Sequence, residues 1–333
     1  DPTPEVIRRA LSDAGDAHGY PTTAGTAQLR EAIAWWYEHW HSVQLDPATQ
    51  ILPTVGSKEL VAWLPTLLGL RERGLSVACP SAAYPTYEMG ATIAGVDCLR
   101  LDAAQIVDGA SLDGIGLLWI NTPSNPTGEV LDVDTIAEVV RRARAAGVVV
   151  ASDECYGLLN WESDEPAPSV LSAAGESFAG VLSVYSMSKQ SNLAGYRAAF
   201  VTGDAELIAD LTRSRKHAGM IVPFPIQEAM VAGLRDTAHV LAQKGAYRSR
   251  REQLRTGLEE FGFRIDHSTA GLYLWSTADK NCWESLADLA ELGIVAGPGE
   301  FYGAAAADHV RIALTATDER IRAAAERLRA AAN

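Results

Sequence analysis

The sequence is short of cysteine, of basic charge and of long apolar runs. Its 333 residues hold four cysteines, Cys79, Cys98, Cys155 and Cys282, none in a Cys-x-x-Cys spacing. They are too few for a disulfide framework in a chain this long and read as reduced, structural thiols. Basic residues number 28 against 42 acidic ones, a formal charge of −14. That deficit argues against a nucleic-acid partner, because phosphate binding needs a concentrated basic face. No stretch approaches the roughly 20 apolar residues of a membrane span, and no charged-then-apolar leader opens the sequence. The expectation is a cytoplasmic protein with no membrane partner. His39 and His41 form the one close histidine pair, within a helical stretch where residues two apart face different sides, so no metal site is expected.

What is present is ordinary globular material, 47% hydrophobic and 21% charged, in a length that suits two unequal domains. Short β-rich runs at 76–80, 96–101, 116–121, 148–152, 181–186 and 198–202 alternate with amphipathic stretches, the pattern of a mostly parallel sheet under helices. Asp132 is placed to cap a helix over 133–146, with Gly147 as its left-handed stop. From 225 to 262 the pattern is helical for an unusual length, interrupted only by Gly233 and Gly245. Beyond it come short strands at 271–275 and 310–314 and a closing helix from Asp318. This divides the chain into a large domain, 16–235, and a small α+β domain made of 1–15 and 236–333.

Three strand exits carry reactive groups. After 181–186 comes Ser186-Met187-Ser188-Lys189. Open α/β sheets bind ligands at the carboxyl ends of their strands, where a lysine can form a Schiff base with an aldehyde cofactor and the serines can hold a phosphate. The same four residues fit the Ser-x-x-Lys of serine acyl enzymes, but neither Ser-Asp-Asn nor Lys-Thr-Gly occurs in the sequence. After 148–152 comes Asp153-Glu154-Cys155-Tyr156. A carboxylate beside a pyridine nitrogen keeps it protonated, and the protonated ring withdraws electrons from a carbanion. Tyr156 can donate to the phenolic oxygen of such a ring; Asp153 alone reads equally as a cap or turn residue. After 116–121 comes a turn with two prolines, in which Pro126 holds Asn125 extended and fit to share the phenolic oxygen.

An amide, a carboxylate with a phenol, and a lysine, in that order, resemble the class I and II aminotransferases, fold-type I enzymes dependent on pyridoxal 5′-phosphate. The resemblance runs over nearly the whole sequence. It implies an α/β fold of the aspartate-aminotransferase type, with a mostly parallel central sheet, helices on both faces and a smaller α+β domain. It makes Lys189 the Schiff-base lysine and proton shuttle, and sets Asp153 on the pyridine nitrogen with Asn125 and Tyr156 on the phenolic oxygen. Ser57, Lys58, Ser186, Ser188 and Arg197 would hold the phosphate. Tyr84 would stack on the ring, with Tyr87 close enough in sequence to compete for that place. Arg311, otherwise a solvated strand residue, would grip the substrate α-carboxylate beside Asn125. Tyr20 would reach the phosphate of the neighbouring subunit in a homodimer. Relatives carry a segment ahead of the point where this sequence begins, and substrate contacts from it are not assigned.

The expected reaction is a ping-pong transfer in which glutamate gives up its amino group and an oxo acid receives it. The runs 19–37, 123–131, 186–200 and 310–321 look most like the actinobacterial succinyldiaminopimelate transaminases of lysine synthesis. Such a long substrate calls for a second polar site far from Arg311, for which Arg213, Arg215, Lys216 and His217 are the candidates, although an exposed helix face accounts for them as well. A carbon–sulfur β-lyase would use the same cofactor groups. A non-catalytic regulator would need a basic DNA-binding module, which this acidic sequence does not contain.

Overall fold

The computed structural model describes residues 1–332. Seven strands make the larger sheet: β1 (Ile51–Val55), β2 (Ser76–Cys79), β3 (Cys98–Arg100), β4 (Ile115–Asn121), β5 (Val149–Asp153), β6 (Val181–Ser186) and β7 (Ala198–Gly203). Their order is β1-β7-β6-β5-β4-β2-β3, and only β7 runs against its neighbours. Six of the seven lie where the sequence pattern puts them. β1 escapes it because Pro53 interrupts the run, and a proline is tolerated there because β1 is an edge strand.

Alternate side chains enter separate cores. Leu118 and Ile120 of β4 pack with Trp36, Val139 and Met230 on one face. Leu117 and Trp119 pack with Leu60, Leu64, Tyr87 and Leu211 on the other. Both faces are therefore covered by helices, which is why these strands read as continuous apolar runs. The connecting helix Val133–Ala145 begins where Asp132 accepts the Thr135 N–H at 2.7 Å and ends before Gly147, whose φ is 70°.

The long helical stretch is two helices, Phe224–Arg235 and Thr237–Phe261. Neither glycine breaks it. The break falls at Asp236, in extended conformation, whose carboxylate accepts the Ala238 N–H. Gly233 stays helical where a Cβ would lie within 3 Å of Met187 and Ile7. The helix Glu5–Asp13 thus belongs by packing with the larger body, because Ile7 is fully buried in its core. The sequence pattern assigns residues 1–15 to the smaller one instead.

A second, antiparallel sheet of β8 (Arg264–Asp266), β9 (Tyr273–Thr277), β10 (Gly297–Pro298) and β11 (His309–Ala313) has the order β10-β11-β9-β8. It closes its own core with Leu254, Leu274, Ile312 and Leu328. The closing helix Asp318–Ala332 packs on Thr237–Phe261, with Gly257 against Ala325. Among the described residues no helix is long and apolar enough to cross a membrane.

Candidate active site

Parallel strands bring their carboxyl ends to one edge. Asn121 ends β4 and pairs in register with Asp153, which ends β5 beside Val184 of β6. The chain leaves β6 at Ser186 into the single helical turn Met187–Gln190, which carries Lys189. β7 runs the other way, so its entrance lies at the same edge and Arg197 stands there in left-handed conformation with φ 57°. Its Nη1 donates to Ala194 O at 3.0 Å. The exit of β1 meets it: Gly56, with φ 80°, starts the helix Ser57–Leu67 without a side-chain cap, and a Cβ there would run into the Arg197 guanidinium. The first N–H groups of that helix are thus left to bind an anion beside an arginine.

These exits surround a cavity of about 340 Å³. It is lined by Ser57, Lys58, Tyr84, Asn125, Asp153, Tyr156, Ser186, Ser188, Lys189, Arg197 and Arg311, eleven of the twelve residues singled out from the sequence. Tyr20, the twelfth, is fully exposed and lines a different hollow with His18 and Phe224. Of the four distal candidates, none lines the cavity. Arg213 pairs with Asp210 on the surface, and Arg215 is wholly buried in a two-pronged ion pair with Glu59. A larger hollow of about 430 Å³ opens nearby between Leu101, Trp119 and Asp132, and none of the twelve residues lines it.

Asn125 is placed by a residue the sequence reading passed over. Asn121 Oδ1 accepts the Asn125 N–H at 2.7 Å, while its Nδ2 donates to Asp153 O at 2.7 Å and Pro123 O at 3.0 Å. The turn then docks on the smaller body, where Gly128, φ 71°, accepts from the Ala270 N–H at 3.0 Å and Thr127 O accepts from the Ser268 N–H at 2.9 Å. Asp153 is buried, and burial pushes its carboxyl above the usual carboxylate range. The Tyr87 hydroxyl at 3.0 Å and the Cys155 N–H at 3.3 Å oppose that rise. Between the two tyrosines, Tyr84 is the one in the cavity, and Tyr87 lies behind it, stacked on Trp119.

Three further lining residues have no site role in the sequence analysis: Cys155, which reads there as a structural thiol, Ala194 and Tyr273. The Cys155 thiol lies 3.4 Å from Ser57 Oγ. Tyr273 arrives from β9, and its hydroxyl stands 3.2 Å from that of Tyr156. Arg311 arrives from β11, donates Nη1 to Asn125 Oδ1 at 2.9 Å and leaves Nε buried without a partner.

The family model for aminotransferase class I and II matches residues 1–328. The chain is a class I and II aminotransferase. Members of the family depend on pyridoxal phosphate, move amino groups between amino and oxo acids and are typically dimeric. The chain is 49% identical over 328 residues to a probable aminotransferase of Mycobacterium tuberculosis, covering 98% of this chain and 78% of that protein. It is also 49% identical over 330 residues to the 4-dedimethylamino-4-oxo-anhydrotetracycline transaminase OxyQ of Streptomyces rimosus, covering 98% and 90%. Among solved structures, the N-succinyldiaminopimelate aminotransferase of M. tuberculosis superposes with a TM-score of 0.89 at 28% identity, covering 99% of this chain and 91% of that one. The α/β fold with its mostly parallel sheet is that of the fold-type I aminotransferases.

Proposed function

We propose that this aminotransferase passes the amino group of glutamate to N-succinyl-2-amino-6-oxopimelate, with Lys189 as the cofactor-bearing lysine. The observation that carries the reading is the pairing, across one cavity, of Lys189 with Arg311, whose Nε lies buried and unpartnered. A guanidinium presenting such an edge suits the two oxygens of an α-carboxylate.

The other lining residues fit pyridoxal phosphate from end to end. Ser57, Lys58, Ser186, Ser188 and Arg197 would hold its phosphate at the open helix start, and Asp153 would keep a proton on its pyridine nitrogen. Asn125 and Tyr156 would meet its phenolic oxygen and Tyr84 would cover its ring. When bound, the cofactor supplies an electron sink for the bond broken at the substrate α-carbon. Arg311 would bind and orient the substrate carboxylate beside Asn125, and Lys189 Nζ would take the proton from the substrate α-carbon and carry it to C4′ of the cofactor. Tyr20 would complete the site of the partner in a homodimer. The division into a large domain up to residue 235 and a small one from 236 accounts for Arg311 and Tyr273 reaching the site from the second sheet.

The succinylated substrate draws support from the structural likeness to a mycobacterial enzyme of that name. A second reading, amination of a bulky ring ketone, draws on the 49% identity to OxyQ. It also draws on the cavity, where among the described residues the basic ones are Lys58, Lys189, Arg197 and Arg311, each already assigned to the cofactor or the α-carboxylate. The deciding experiment adds N-succinyl-LL-diaminopimelate, without any oxo acid, to the cofactor-loaded protein. Loss of the visible band with gain of the near-ultraviolet band of the aminated cofactor is expected. No change with this compound, but a change with glutamate, would remove the succinylated substrate and leave the aminotransferase.

A further inference from the structure

Tyr273 touches both halves of the site at once. Its ring lies beneath the Arg311 guanidinium, whose Cζ is 3.8 Å from the ring centroid, and Tyr302 stands 5.1 Å away on a second side. Its hydroxyl lies 3.2 Å from the Tyr156 hydroxyl, with the two rings edge to face at 5.8 Å. The geometry follows from strand register: Ala313 of β11 faces Tyr273 of β9 and Arg311 faces Trp275, so Arg311 and Tyr273 are diagonal neighbours. Tyr273 is 8% exposed, which shields both contacts from water.

We propose that Tyr273 is a positioning residue with two separable tasks. Its ring sets the plane of Arg311 for the substrate carboxylate, and its hydroxyl donates to Tyr156 so that the Tyr156 proton points at the phenolic oxygen of the cofactor. The proposal rests on the roles given above to Arg311 and Tyr156. A cation seated over an aromatic face keeps N–H groups free for an acceptor, and the unpartnered Nε is one of them. A phenol has one proton to give. If Tyr156 spends it on the cofactor, its oxygen is left to accept, and the Tyr273 hydroxyl, 3.2 Å away, is placed to donate to it. Accepting that bond makes Tyr156 the stronger donor.

The two tasks come apart in two variants. Tyr273→Phe keeps the ring and removes the hydroxyl. The pH midpoint of the visible band of the bound cofactor, titrated without substrate, should rise by a few tenths of a unit, because the anionic phenolic oxygen loses support. KM for glutamate should stay within about twofold. Tyr273→Leu removes both, and should in addition raise KM for glutamate and the Kd of a non-reacting dicarboxylate about tenfold, with thermal melting used to confirm folding. An unmoved midpoint in Tyr273→Phe, or unmoved carboxylate binding in a folded Tyr273→Leu, would overturn the proposal. Tyr156→Phe and Arg311→Lys are the controls. If Tyr156→Phe moves the midpoint and Tyr273→Phe does not, the Tyr273 proposal fails alone. If neither moves it, the assigned role of Tyr156 fails with it.

Discussion

Two adjacent carboxylates at the end of β5 have separate fates. Asp153 faces the cavity and Glu154 faces the core, where the Val170 N–H at 2.6 Å and the Ser183 hydroxyl at 2.8 Å reach it. For the first, Asp153→Ala should keep some cofactor yet lower kcat on the order of 10²- to 10³-fold, the usual cost of removing one electrostatic stabiliser, while Lys189→Ala should abolish turnover. Full activity in Lys189→Ala would sink the proposed site. For the second, burial raises the Glu154 carboxyl from 4.5 to about 7. The folded state therefore holds the proton more tightly than the unfolded one, and the stability from this group is complete below about pH 4.5 and lost as pH rises through 7. At 1.36 kcal/mol per unit that is about 3 kcal/mol in all. His41, which burial lowers to about 4, acts with the opposite sign, so the measurement is a difference. Melting temperatures of Glu154→Gln and the parent, compared at pH 5 and pH 8, should shift in favour of the variant at the higher pH. A difference that does not change with pH would show that Glu154 stays charged in the fold.

At the scale of elements, the turn after β4 is tied at both ends, to Asn121 behind and to residues 268–270 across the cleft. A Cβ on Gly128 would lie 2.6 Å from Ala270 O, and φ 71° already disfavours any side chain. Gly128→Ala should therefore loosen Asn125, raise KM for the amino donor and lower the melting temperature by a few degrees, the response to a loss of about 1 kcal/mol. Unchanged kinetics would mean that Asn125 is held by Asn121 alone. The same element shows what could be read in advance. Asn125, Asp153 and Lys189 were legible because each follows an apolar run and so marks a strand exit. Asn121 was read only as the last residue of its strand, and Tyr273 as one of an unremarkable strand, because their partners lie 32 and 117 residues away along the chain. The break at Asp236 is hidden for the opposite reason: Gly233 and Gly245 are the helix-breaking residue types in that stretch, yet Gly233 is packed against Met187 and Ile7 and Gly245 stays inside its helix with nothing near it.

For the whole molecule, the exposed apolar side chains Trp63, Met89 and Ile93 stand on two helices packed together next to the cavity. A dimer, typical of the family, would bury apolar surface of this kind. Tyr20 supplies the test of that assembly. If it serves the site across a dimer interface, Tyr20→Ala and Lys189→Ala subunits, each nearly inactive alone, should regain activity when co-expressed, since a mixed pair has one site free of both lesions. No recovery would place the Tyr20 effect within its own subunit. The reversed strand β7 has a consequence for how such a chain can change. Because β7 starts at the edge where β6 ends, Lys189 and Arg197 are borne on one connection between β6 and β7. An inserted or deleted residue there shifts two cavity-lining cations against each other in a single event. That connection should tolerate exchange of side chains but not of length, and a circular permutation opened within it would leave the lysine and the arginine on two free ends.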